Sequence, residues 1–84
     1  MEQQVLLLVL VNNLKIISEI EDIGSNIGEP DCKLINPYVV DGETLTPWMK
    51  EYTEEKELMI SSDKILTLVE PKEQLLKDYL KLTK

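Results

Sequence analysis

The 84-residue chain has no histidine, no arginine and no phenylalanine, and it has a single cysteine. Each absence excludes something. Without histidine there is no Ser–His–Asp set, no Cys–His pair and no zinc-finger pattern. Without arginine there are no forked contacts to guanine or phosphate, and all nine cations are lysines. Cys32 has no cysteine partner within the chain, which excludes an intramolecular disulfide and fits a reducing cytoplasm. It reads as a small buried hydrophobe. With no Phe, one Trp and three Tyr, the core must be aliphatic. Three glycines make no phosphate-cradling loop. The apolar run Val5 to Val11 is too short to cross a bilayer, and Met1 to Gln4 carries no positive charge, so neither a membrane span nor a signal peptide is expected. Carboxylates stand in pairs, Glu19 with Glu21 and Glu54 with Glu55, but such pairs in an acidic chain read as a solvated face. The spacing of Glu29 and Asp31 does not make a hard-cation site. The expectation is a protein that is not an enzyme and needs no cofactor or metal.

What is present is one small domain with a formal charge of −7. That charge opposes broad duplex binding, which depends on neutralising phosphates. Val5 to Val11 is continuous and β-branched or Leu-rich, as in a strand covered on both faces. Asn12-Asn13 suits a tight turn. Leu14 to Ile23 alternates, with Leu14, Ile16, Ser18 and Ile20 on the inner side and Lys15, Ile17, Glu19 and Glu21 on a solvated one. Residues 24 to 30 form the clearest loop. Cys32 to Val40 reads as a third strand in which Pro37 signals an edge or a bulge, and Asp41-Gly42 as a turn. Leu45 to Tyr52 reads as extended but irregular. Leu58 to Ile60 and Ile65 to Val69 are the last two strands, with the polar corner Ser61-Ser62-Asp63-Lys64 between them. Pro71 suits the first position of a helix, and Leu75, Leu76, Tyr79, Leu80 and Leu82 give it an apolar stripe. Trp48 either stacks on a base or packs in the interior; the scarcity of aromatics favours packing.

The expected fold is therefore mainly β: a small, strongly bent, five-stranded open barrel, with strands within residues 4–70 and a short C-terminal α-helix over about 71–82. An open barrel leaves edge strands, and edges favour self-association.

The strand, the corner "SSDK" and the closing "ILTLVEP" resemble the second half of an Sm-like motif (the LSm and Hfq type). "VLVNNLKIISEIEDI" is similar to that family's opening strand–turn–strand, and "PDCKLIN" falls where an Asp-x-x-Asn element normally stands. The closest resemblance is to small Sm-like proteins of marine phages (the cyanophage type). It rests on Pro47-Trp48, the acidic stretch Glu54 to Glu57, the hairpin Ile60 to Lys64, Val69-Glu70-Pro71, and a final helix with Leu75 and Tyr79. The chain departs from the family at the corner: its Arg and Gly positions fall on Ser61 and Ser62, its Asn on Lys64, and only Asp63 matches. The base-contacting Asn of Asp-x-x-Asn is missing, since Asp31 to Leu34 ends in leucine.

The resemblance implies an Sm-like (SH3-type) barrel in a closed homo-oligomeric ring of roughly five to seven subunits, with one subunit's fourth strand pairing with the fifth of the next. It also implies that the 24–31 loop and the corner converge near a pore and bind single-stranded nucleic acid, RNA before DNA, in RNA or DNA processing or regulation. Lys64 would meet phosphate, Ser61 and Ser62 would hydrogen-bond, Asp63 would hold the family's position, and Asn26 with Lys33 would supply loop contacts. A ring of the same kind serving only as a protein-interaction scaffold remains the alternative, favoured by the net charge and the lost Arg and Asn.

Overall fold

A computed structural model describes residues 4–22, 31–42 and 44–83. Along the chain these form β1 (Gln4–Leu10), β2 (Lys15–Asp22), β3 (Cys32–Asp41), β4 (Thr44–Pro47), β5 (Glu57–Ile60), a single 3-10 turn (Ser62–Lys64), β6 (Ile65–Val69) and α1 (Glu73–Thr83). All pairings are antiparallel, in the order β4-β3-β2-β1-β6, with β5 joined to β3 off that path. The sheet is not closed.

Local chemistry explains the connections. At the β1–β2 hairpin Asn13 takes φ 68°, a left-handed conformation that asparagine tolerates, and the Asn12 Oδ1 accepts from the Leu14 N–H at 3.0 Å. Gly42, at φ 61°, turns β3 back into β4.

The sheet has six strands rather than the expected five. Leu45 to Tyr52 reads from the sequence as extended but irregular, yet Thr44–Pro47 pairs regularly with β3 from Asp41↔Thr44 to Tyr38↔Pro47. Proline is compatible with an edge position because an outward edge needs no N–H donor. Beyond it, Met49 at φ 66° ends the extended backbone, and its carbonyl accepts from the N–H groups of Tyr52 and Thr53.

β3 organises the sheet. Along β2 its register runs Ile17↔Tyr38 and then Glu19↔Ile35, which places one extra residue of β3 at Asn36-Pro37. This is the bulge that Pro37 signalled; Asn36 accommodates it at φ 54°. On one side of the bulge Cys32–Ile35 pairs with β5, and on the other Tyr38–Asp41 pairs with β4. One strand thereby serves two neighbours on the same edge, because its two halves point differently.

The inner face holds Leu8, Leu10, Ile16 and Leu34, with Leu14, Ile20, Trp48, Ile60 and Ile65 packed against them. Each fully buried Leu or Ile contributes about 1.5–3 kcal/mol. The outer face is not solvated as the alternation suggested. Ile17 is fully buried and Glu19 nearly so. They share that face with Tyr38 and Ile35, where Tyr79 of α1 seats. The cover is tertiary, so period-two alternation along β2 could not report it. The helix begins two residues later than Pro71: Lys72 is its cap, its carbonyl accepting from the Leu76 N–H at 2.9 Å. Its covered stripe is Leu75, Leu76, Tyr79, Leu80 and Thr83, while Leu82 lies off it and is 53% exposed.

Tyr79 is fully buried and meets Tyr38 edge-to-face, with ring centroids 5.7 Å apart. Its hydroxyl proton is shared between the carbonyls of Asn36 (2.9 Å) and Ile35 (3.1 Å). The Ser18 hydroxyl divides likewise between the Glu19 carbonyl (2.8 Å) and that of Ile35 (3.1 Å). Burial pushes the Tyr79 phenol up to about 12 from 10.0. Because the native value is raised, the stabilisation is complete below pH 10 and is lost as pH climbs toward 12, by roughly 2–3 kcal/mol. Tyr79→Phe should cost about 1–2 kcal/mol at neutral pH and should flatten that alkaline loss. Urea denaturation of both proteins at pH 7 and in steps above pH 10 measures each effect.

Candidate nucleic-acid interface

The corner between β5 and β6 is a built structure. Ser61 is extended at φ −82°, and then Ser62–Lys64 makes one 3-10 turn, with the Lys64 N–H donating to the Ser61 carbonyl at 3.0 Å. Ser61 is half-buried, whereas Ser62, Asp63 and Lys64 are exposed. The Lys64 carbonyl accepts from the Val11 N–H at 3.0 Å, which ties the corner to the β1–β2 hairpin.

Asp31, just before β3, holds the corner from the other side. Its Oδ1 accepts from the Ser62 N–H and its Oδ2 from the Ser62 hydroxyl, both at 2.7 Å. Those bonds, the hydroxyl's first, hold the Asp31 carboxyl below its ordinary value, with a small opposing effect of burial. Asp31 therefore meets the corner, while residues 24–30 of the expected loop lie outside the described residues. Both carboxylate oxygens are engaged there, and no group of three or more metal-ligating side chains occurs among the described residues.

The other expected site residues divide. Asn26 lies outside the described residues. Lys33 sits on β3 rather than in a loop, and its Nζ lies 3.1 Å from a Glu57 carboxylate oxygen and 4.0 Å from one of Glu21. The hydrogen bond and charge of Glu57, with Glu21 adding to them, raise its ammonium above the usual lysine value. Across the ladder Glu21 is its direct partner and Glu57 its diagonal one, so β2, β3 and β5 are stitched together through this lysine. Lys64 has no ion-pair partner among the described residues. The corner thus brings together Ser61, Ser62, Asp63 and Lys64 with Asp31, which gives two carboxylates and one ammonium. Its hydroxyls and backbone can meet a ligand by hydrogen bonding, and Lys64 can meet one phosphate.

Sequence reasoning missed the ion pairs of Lys33 because the three residues are far apart in the chain. It also did not foresee that Asp31 would meet Ser62; the one signal was the placement of "PDCKLIN" against an Asp-x-x-Asn element.

The chain belongs to a family of unknown function (DUF6561), whose model matches residues 3–84. No curated protein matches it. Among the described residues no helix is long and apolar enough to cross a membrane.

The Asp31 latch has a measurable signature. A lowered carboxylate pKa gives stabilisation that is present above the unfolded value near 3.8 and lost as pH falls through the native one. In Ser62→Ala the stronger of the two bonds is gone. The Asp31 side-chain carboxyl, followed by NMR titration, should then titrate closer to 3.8 than in the wild type.

Proposed function

We propose that this chain is an Sm-like barrel that assembles into a closed homo-oligomeric ring and engages single-stranded nucleic acid, RNA before DNA, through the Ser61–Lys64 corner. The strand arrangement carries the reading. A bent β3 pairs with β5, a 3-10 turn links β5 to β6, and both β5 and β6 end the sheet with an unpaired edge. Leu68 shares the side of the buried Leu8, yet it is 50% exposed, and Leu66 is 60% exposed. A core-facing leucine left uncovered at an open edge, with Leu66 exposed beside it at the β1–β6 register shift, favours a strand from another subunit. Pairing β5 of one subunit with β6 of the next would cover them and abolish both edges. It would also repeat the corner around the ring, so that a single Lys64 becomes a belt of ammonium groups. Single-stranded nucleic acid suits such a belt because it is held by stacking and by few phosphates.

A second reading, a scaffold ring without nucleic acid, is supported by one observation. Lys33 is already occupied by Glu57 and Glu21, which leaves Lys64 beside Asp63 and near Asp31.

Light scattering at micromolar concentration should show a particle of about five to seven subunits, and Leu68→Asp should reduce it to folded monomers. A wild-type monomer would remove the ring.

For the corner, Lys64→Glu should abolish binding of short oligo-U or oligo-A, whereas Lys72→Glu, at the start of α1, should change it little. The exposed turn substitution should alter stability by less than about 0.5 kcal/mol. The salt slope of wild-type binding should be shallow, because few phosphates are neutralised. Absence of wild-type binding at low salt puts the scaffold first.

A further inference from the structure

The latch between Asp31 and Ser62 fixes which hydrogen bonds the corner can still make. The Ser62 N–H and the Ser62 hydroxyl proton both go to Asp31, each at 2.7 Å. A serine hydroxyl has one proton and two lone pairs. With that proton turned to a carboxylate in a charge-assisted bond, the exposed Ser62 Oγ can only accept from a ligand. The same bond is the first of the causes that hold the Asp31 carboxyl below its ordinary value, so the carboxylate keeps its claim on the proton at neutral pH. Asp63, the next residue, presents carboxylate oxygens, which also accept.

Phosphate oxygens are acceptors too, so neither of these side chains can donate to them. The donors left to the corner include the Lys64 ammonium and the half-buried Ser61 hydroxyl, and phosphate offers the same acceptors to them in RNA and in DNA. Nor does the corner carry a ring on which a base could stack. All four aromatic residues of the chain lie elsewhere. Tyr38 and Trp48, with Pro47 and Leu82, line a cavity of about 630 Å³ at the opposite end of β5. Tyr79 is buried against Tyr38, and Tyr52 follows in the 48–52 turn. An acceptor-only hydroxyl therefore needs a donor on the sugar or the base. The 2′-hydroxyl is the donor that every RNA nucleotide has and every DNA nucleotide lacks.

We propose that the Asp31–Ser62 latch sets Ser62 Oγ as an acceptor for the ribose 2′-hydroxyl, and that Ser62 is the residue by which the corner tells RNA from DNA. Ser62 meets the sugar, and Asp31 is a positioning residue that acts through it. The proposal rests on the nucleic-acid reading of the corner and gives that reading its sugar selectivity.

The probes are short oligo-U, oligo-deoxyuridine and oligo-2′-fluorouridine, which share the base and differ at the 2′ position alone. The fluoro probe keeps a ribose-like sugar and has no 2′ proton to donate. By fluorescence anisotropy at low salt, the wild type should bind oligo-U about three- to tenfold more tightly than either of the others for each ribose engaged, as one hydrogen bond allows. Ser62→Ala should bind all three alike, at the level of the deoxyuridine probe. Asp31→Asn inverts the latch: the amide oxygen can still accept from the Ser62 N–H, its NH2 donates to Ser62 Oγ, and the hydroxyl proton turns outward. The ratio of oligo-U to oligo-deoxyuridine affinity should then fall toward one, whatever the lost charge does to both. A side chain that only held the turn together would move both affinities and leave the ratio as it was. Equal wild-type affinity for oligo-U and oligo-deoxyuridine overturns the proposal and leaves nucleic-acid binding at the corner standing. So does a fluoro probe that binds like oligo-U, or an Asp31→Asn ratio equal to that of the wild type. Absence of binding by all three probes overturns the proposal together with the reading on which it rests.

Discussion

The extra residue in β3 is the constraint on which the rest of this structure depends. It lies where β3 changes neighbours, from β5 along Cys32–Ile35 to β4 along Tyr38–Asp41, while β2 keeps the opposite edge. Asn36 enters the left-handed region, Pro37 follows without a donor, and the strand bends. A bend of this kind leaves carbonyls turned out of the β2 ladder, and in a small interior an unpaired carbonyl costs about as much as a lost hydrogen bond. Here the hydroxyls of Ser18 and Tyr79 answer the Ile35 and Asn36 carbonyls. Tyr79 is thus both the apolar anchor of α1 and the polar cap of the bulge. The helix is fixed to the sheet at that point, which in turn buries Ile17 and Glu19 and sets the far side of the cavity.

The two ends of β5 have different electrostatics. At the corner end, Asp31 spends both oxygens on Ser62 and leaves Lys64 projecting. Between the ends, Lys33 is held by two carboxylates and acts as a cross-strand tie, an unsurprising fate for a half-exposed lysine in a chain with nearly twice as many acids as bases. At the cavity end, aromatic and proline surface meets the carbonyl end of α1. Such a division lets one small sheet present a polar, backbone-rich end and an apolar end rimmed by two glutamates and two lysines.

Much of the fold was legible in the sequence. The Leu-rich run of β1, the Asn12-Asn13 turn, the warning in Pro37, the Asp41-Gly42 turn, the corner and the closing helix all announce themselves by local chemistry. Leu45 to Tyr52 shows only an extended, irregular character in its residues, and pairing with the post-bulge half of β3 is what makes Thr44–Pro47 a strand. Spacing places Leu82 in the helical stripe, but in the fold it lines the cavity and is 53% exposed. Of the candidate site, the corner was visible as a polar break between two apolar runs, whereas the ties of Asp31 and Lys33 were not.

The sequence by itself determined the aliphatic core, the absence of histidine and arginine chemistry, the acidic balance and the positions where the backbone must turn. These depend on residue type and on neighbours within a few positions. Tertiary structure alone decided that Lys33 is neutralised by partners twelve and twenty-four residues away, and that Asp31 meets Ser62. It likewise decided that a tyrosine near the chain's end caps a bulge in its middle. Charge pairing and carbonyl satisfaction are fixed by which strands lie side by side, and that adjacency is a property of the folded sheet.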